Sequence, residues 1–326
     1  MSDAITLTLA HSADADDVFM WWPVTGMLDP ANPQRLLAPP AIDTGRFSFR
    51  GIPEDIAVLN RRAREVGDLD ITAISFAHWP AVAERYAPTS FGSSFGDDWG
   101  PKLVRRAGWR DDLFASRPTG ETLASAIAQA RPVVAIPGRE TTAYLAFRGL
   151  FRAAEAPVVV TSFDRIMETV ASGVDGVNMG LLIHEAQFTF AGMGLAEVAD
   201  MGVTWKAATG LPLPLGANVV RRDLDARFGP GGLQQVVDLL DASVQHALKH
   251  RSRSLDYARL FSPLKDDLSL SRYIDTYVSR WTVDCGEAGE RAIRLLLQRG
   301  AEAGLIAPLG EAKMLRPSPG PGGNGQ

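Results

Sequence analysis

The residues best suited to chemistry stand in two short stretches, IPGRETTAY at 136–144 and GLLIHEAQF at 180–188. His184 follows the apolar run MGLLI and precedes Glu185. An imidazole titrates near neutral pH. At a strand's end it can donate or abstract a proton in the crevice where open α/β sheets bind ligands. The alternative is a half-buried histidine bonded to backbone. Glu185 could orient His184, but neighbours along a strand point to opposite faces, and a salt bridge away from the reacting centre fits it equally well. Position 188 is Phe, so HEAQF lacks the second histidine of a zinc-protease helix. Thr141 and Thr142 follow PGRE where a loop enters a helix. Their hydroxyls and the first-turn N–H groups could take a carboxylate or phosphate, with Gly138 permitting close approach and Arg139 adding charge. A plain capped helix, with Thr141 serving the backbone, accounts for the same residues. Neither GxxxxGKS/T nor a sound GxGxxG occurs, so a nucleotide loop lacks support.

Other polar groups stand at the edges of apolar runs. Asp14, Asp16 and Asp17, beside His11 and Ser12, could organise a hydroxyl-rich ligand or a cation, although their spacing is not that of a calcium loop. Alternatively, one caps a helix and the others are solvated. Ser75 and His78 in ISFAHWP form the polar edge of another strand. The loop FGSSFGDDWG, residues 91–100, could border or cover a cleft. The Trp21–Trp22 pair suits a ring ligand and core packing equally. Tyr273, Tyr277 and Trp281 share one helical face, a stripe best explained as packing.

The elements that must position these groups alternate. Residues 4–10, AITLTLA, read as a strand. PEDIAVLNRRAREV at 53–66 reads as a helix starting at a proline, and LDITAISFAHWPAV as a strand, turn and helix. PKLVRR at 101–106 reads as a strand leaving a first lobe. Further strands are expected at 132–136, 157–163 and 178–183, with helices at 119–130, after PGRE, and at 164–173. This order implies α/β layers with mostly parallel strands. GLPLPLGANVVRRDL at 210–224 suits a return crossing between lobes, and 233–249, 267–281 and 286–303 are helical by periodicity. Two discontinuous lobes around a cleft and one doubly wound domain both satisfy the pattern. The end, RPSPGPGGNGQ, has the composition of a disordered tail.

The bulk properties narrow the partners. The chain has 326 residues, 46% hydrophobic and 22% charged, enough for sizeable cores. A net charge of −5 and a pI near 5.6 argue against nucleic acid or anionic lipid as partners. Cys285 is the only cysteine, which excludes an intrachain disulfide. The first residues lack a signal-peptide pattern, and no long apolar run appears, so a cytoplasmic location with no membrane partner is the expectation. The oligomeric state is not indicated.

Taken in order, HSADADDVF, ITAISFAHWP, IPGRETTAY, NMGLLIHEAQFTF, GLPLPLGANVVRRDL and TYVSRWTVDCGEAGERA resemble the 1,4-dihydroxy-6-naphthoate synthases of the futalosine route to menaquinone. The resemblance implies an α/β, two-lobed periplasmic-binding-protein-like type II fold with a central ligand cleft. Residues 1–104 would form the first lobe, 105–216 the second, and 217–326 the rest of the first with C-terminal helices and the tail. It implies conversion of cyclic dehypoxanthinylfutalosine to 1,4-dihydroxy-6-naphthoate with release of dihydroxyacetone. His184 would be the general base. Thr141 and Thr142 would bind a substrate oxygen or carboxylate, and Asp17 substrate hydroxyls. Ser75 would lie in the first-lobe crevice, and Asp14 is counted with these as substrate-binding. No organic cofactor and no metal are implied. Some relatives have SPCPNDTF where this chain has SADADDVF, so Asp16 replaces an amide and the charge of the cleft is expected to differ. Two alternatives stay open: chorismate dehydratase, a related enzyme on a similar fold, and a solute-binding protein without catalysis.

Overall fold

The computed structural model describes residues 4–150, 156–264, 266–310 and 313–319. Its strands form two main sheets, and each has one strand running against the rest. In the first sheet Phe47–Glu54, Ile5–Ser12 and Ile71–Ser75 lie parallel in that spatial order, followed by Leu213–Arg221 and Tyr86–Pro88, with Ser94–Gly96 also on Leu213–Arg221. In the second, Val158–Val160, Val133–Ile136 and Val177–Leu182 are parallel, and Lys102–Arg106 and Leu195–Asp200 complete it.

The two antiparallel strands, Leu213–Arg221 and Lys102–Arg106, are the ones by which the chain changes lobe. Of the two layouts open from sequence, the split-lobe one is therefore present. The expected boundaries at 104/105 and 216/217 fall inside these strands. By sheet membership the chain leaves the first lobe between Gly96 and Lys102 and returns between Asp200 and Leu213. PKLVRR is thus the first strand of the second lobe, because Leu103 and Val104 are wholly buried in that sheet.

Local chemistry explains most of the elements. ITAIS at 71–75 is buried at every position, the continuous apolar run required of a central strand covered on both faces. Pro53 does not begin a helix: it lies in the edge strand Phe47–Glu54, where its missing N–H breaks no ladder. The following helix, Ile56–Glu65, is capped by Asp55, whose Oδ1 accepts from Ala57 N at 2.7 Å and Val58 N at 3.2 Å. Helix Ala15–Thr25 stops at Gly26, whose φ of +79° and close approach to Ala38 O, 2.7 Å from where a Cβ would sit, admit no other side chain.

The first lobe's core joins Leu7, Leu9, Phe19, Trp21 and Phe47 to Val236, Leu240 and Val244 of the long helix Gly232–Lys249. Trp21 and Trp22 are 1% exposed, and Trp22 Nε1 donates to Ser254 Oγ at 2.9 Å. The pair is core, and neither ring lines the cleft. Part of the expected disordered tail is docked. Leu315 pairs with the first sheet beside Pro88 and Thr89, Arg316 meets Asp284 and Glu290, and Ser318 N donates to Asp238 at 2.7 Å. Residues 320–326 lie outside the described residues. No helix among the described residues is long and apolar enough to cross a membrane.

Candidate active site

The crevice between the lobes receives loops from both sheets. Its lining includes Asp14, Asp17, Ser75, Thr141, Thr142 and His184. Asp14 stands between the end of strand Ile5–Ser12 and helix Ala15–Thr25. His184 stands just beyond strand Val177–Leu182 of the opposite lobe, with a left-handed φ of +53°. That conformation is uncommon for a residue with a side chain, and it turns the imidazole out of the strand's alternation.

The two residues meet across the crevice: His184 Nδ1 pairs with Asp14 Oδ2. The orienting carboxylate is therefore Asp14 and not Glu185. Glu185 is buried without a salt bridge among the described residues and accepts a long bond of 3.4 Å from Ser262 Oγ. Burial by itself would lower the pKa of His184, but the Asp14 carboxylate overrides it and raises it to about 10. Burial would likewise push Asp14 up, yet the imidazolium holds it below its usual range. The pair thus shares one proton at neutral pH as an ion pair. His184 Nε2 has no partner among the described residues.

The rest of the acidic cluster is neither solvated nor capping. Asp14, Asp16 and Asp17 are 6–8% exposed, and the helix cap at Asp14 has no side-chain bond. Asp16 is pushed well above the usual carboxylate range by burial and then by Asp14 and Asp17, and it accepts from Tyr273 Oη at 2.7 Å. Burial thus favours the neutral form of Asp16, which works against the change in cleft charge expected on replacing an amide. Burial and Asp14 raise Asp17 to about 7, while Ser12 N, donating to Oδ2 at 2.7 Å, pulls it back. Burial, then Asp14, also raises Glu185.

The threonines serve the protein first. Thr141 Oγ1 donates to Gly138 O at 2.8 Å and accepts from Tyr144 N at 3.2 Å, the capping role. Thr142 Oγ1 donates to Leu215 O at 2.9 Å and accepts from Ala77 N at 3.2 Å, both in the first lobe. It ties the lobes together at the floor of the cleft. Ser75 is fixed by Asn60, whose Nδ2 donates to Ser75 Oγ at 3.2 Å. Arg139 does not line the cleft; it donates to Tyr144 Oη at 3.2 Å.

Two polar lining residues, Gln187 and Asn218, were not singled out from the sequence, Tyr277 was read as packing, and Ser93 stood only within the loop expected to border a cleft. Tyr273, Tyr277 and Trp281 are packed in the core as expected, and Tyr277 also borders the cleft, its Oη accepting from Gln187 Nε2 at 2.5 Å across the lobes. The polar loop at 91–100 does border the cleft, through Gly92, Ser93 and Ser94. The only signals were the two serines in FGSSFG and an asparagine inside the apolar strand GANVV.

Two lobes, each an α/β sheet with an antiparallel crossing strand, and a cleft between them define the type II periplasmic-binding-protein-like fold. A solved ligand-binding component of an import system from Staphylococcus aureus superposes with a TM-score of 0.63 at 10% identity, covering 96% of this chain and 97% of that one. A crystallised protein from Archaeoglobus fulgidus is more similar: TM-score 0.72, 29% identity, 92% of this chain and 98% of the other. At the sequence level, the family model described as menaquinone biosynthesis matches residues 7–302. The 1,4-dihydroxy-6-naphthoate synthase of Thermus thermophilus is 38% identical over 78% of this chain and 84% of its own length. That of Streptomyces coelicolor is 35% identical over 94% and 97%. The chain belongs to the 1,4-dihydroxy-6-naphthoate synthase family of menaquinone biosynthesis.

Proposed function

We propose that this chain converts cyclic dehypoxanthinylfutalosine to 1,4-dihydroxy-6-naphthoate, releasing dihydroxyacetone, with His184 moving the proton that starts carbon–carbon cleavage. The observation that carries the reading is the state of His184. Its Nδ1 is held by a buried carboxylate, and its Nε2 stands unpartnered in a cavity closed by both lobes. A base fixed in one orientation needs no reorganisation at the moment of transfer. In the base reading Nε2 takes a proton from the substrate. The electron pair left behind forms a new double bond in one fragment as the carbon–carbon bond breaks, the pair of that bond stays on the other fragment and takes up a proton, and further proton loss completes the aromatic ring.

The raised pKa of His184 favours a second reading. An imidazole with a pKa of about 10 is unprotonated in roughly one molecule per thousand at pH 7. The base form must therefore be generated when substrate displaces the Asp14 pair, or else His184 enters as the acid and protonates a substrate oxygen first. The two readings differ in the sign of their pH dependence. A base gives single-turnover rates that climb towards alkaline pH; an acid gives rates that fall as Nε2 deprotonates.

Incubation of the purified protein and its His184→Ala variant with cyclic dehypoxanthinylfutalosine, with both products followed by mass spectrometry, tests the proposal. Products from the parent only are expected. Equal turnover by both proteins removes His184 from the chemistry. Turnover of chorismate in place of this substrate moves the assignment to chorismate dehydratase, and tight binding without turnover to a solute-binding role. The proposal carries a cytoplasmic location with it, which cell fractionation checks.

A further inference from the structure

We propose that Ser93 and Asn218, together with the free oxygen of Asp14, form a subsite that reads the hydroxyl groups of a polyhydroxylated ligand segment beside His184. The inference rests on reading this cleft as the active site. Asn218 lies in strand Leu213–Arg221, opposite Ala73. Its Nδ2 donates to Gly92 O at 2.6 Å, which settles the orientation of the amide, since the reverse would set two oxygens face to face. Gly92 has a φ of +67°, and a Cβ there would come within 3.1 Å of the Trp21 ring. The carbonyl that aims Asn218 therefore depends on a glycine. Asn218 Oδ1 is left as an acceptor with no partner among the described residues.

Ser93 is 1% exposed, and its Oγ is likewise without a partner among the described residues. The adjacent Ser94 is not: its Oγ accepts from Gly216 N at 3.1 Å. Asp14 Oδ1 and His184 Nε2 complete the set, and all four residues line one cavity. Buried polar atoms are almost always paired in folded proteins, so a cluster of orphans in one cleft marks where a ligand supplies the missing partners.

The chemistry of the orphans selects the ligand. Two are pure acceptors, Asn218 Oδ1 and Asp14 Oδ1, and require hydrogen donors. The protonated His184 Nε2 requires an acceptor, and Ser93 Oγ can play either part. A carboxylate alone would leave both acceptors unmet and face Asp14. An ammonium would satisfy them but stand against the imidazolium. Hydroxyl groups on adjacent carbons donate and accept at once, and they meet every requirement.

The test uses Ser93→Ala and Asn218→Leu in the full chain. D-ribose serves as the polyol probe and 2-naphthoate as a ring probe lacking hydroxyls, both followed by ligand-observed NMR. KM for cyclic dehypoxanthinylfutalosine is measured in parallel. Loss of one neutral hydrogen bond should weaken D-ribose binding and raise KM by about five- to tenfold in each variant. Affinity for 2-naphthoate should stay unchanged. Ser93→Ala should melt no lower than the parent, because it removes an orphan and not a structural bond. Unchanged D-ribose affinity in the variants, equal losses for both probes, or no D-ribose binding by the parent would each overturn the proposal. Should Asn218→Leu fail to fold, Ser93→Ala decides alone. Ribose binding that depends on Ser93 in a protein without turnover would sink the synthase reading and leave this subsite standing.

Discussion

Replacing Asp14 by Asn is the sharpest perturbation of this site. The amide keeps the size of the side chain and can still accept from His184 Nδ1, but it removes the charge. In the parent, burial drives His184 below 6.5 and Asp14 more than reverses it, to about 10. Asp16 and Glu185, which also favour the imidazolium, are themselves raised by burial. Without Asp14, burial is the largest influence left, and His184 should titrate at or below 6.5. The change corresponds to roughly 5 kcal/mol of interaction between the two groups.

The nitrogen chemical shifts of the imidazole, followed by NMR from pH 5 to about 10.5, read this directly. Linkage supplies a second readout. The folded pKa of His184 lies above its unfolded value of 6.5, so the stability it contributes is complete below 6.5 and is lost as pH rises towards 10. The parent's melting temperature should decline across that window, and that of Asp14→Asn should not. If His184 is a base, the variant should also reach its maximal single-turnover rate at lower pH. A His184 that still titrates near 10 in Asp14→Asn would refute the reasoning, because the proton would then be held by something other than the pair.

Three further outcomes follow from the same geometry. Asp17 is raised from 3.8 to about 7, so the folded protein binds the extra proton and stability should fall as pH climbs from 4 to 7. Asp17→Asn keeps an oxygen for Ser12 N and should flatten that fall, with up to about 4 kcal/mol recovered at pH 7 and above in urea titrations. Thr142→Val strands both Ala77 N and Leu215 O between the lobes and should destabilise the protein by about 1–3 kcal/mol; a variant as stable as the parent would show that the tie is dispensable. Tyr277→Phe removes the acceptor of Gln187 Nε2, and small-angle scattering should report a more open average shape than the parent's.

What the sequence made legible followed from periodicity. The buried run ITAIS, the amphipathic helix 233–249 and the polar end of IPGRETTAY all reported their own burial, because strand and helix periods repeat within a few residues. The antiparallel crossings were less visible. Only pairing partners distinguish a parallel strand from an antiparallel one, and PKLVRR pairs with residues more than seventy positions away. The candidate site residues could be picked out one by one for their chemistry, but their partners could not. Glu185 looked like the orienter of His184 through adjacency, whereas the carboxylate that meets the imidazole comes from Asp14 on the other lobe. The left-handed turn at His184 makes that contact possible, and no local pattern encodes it. The protonation state is further removed still. Asp16 and Asp17 could be read either as ligand-binding carboxylates or as solvated charges, and only their burial beside Asp14 raises both pKa values against the pull of Tyr273 and Ser12. The charge of the cleft is therefore governed by burial and by a contact made between the lobes. Bringing Asp14 to His184 fixes one proton between them, and excluding water raises the neighbouring acids. On the proposed reading, a substrate that parts Asp14 from His184 disturbs that proton before the chemistry begins.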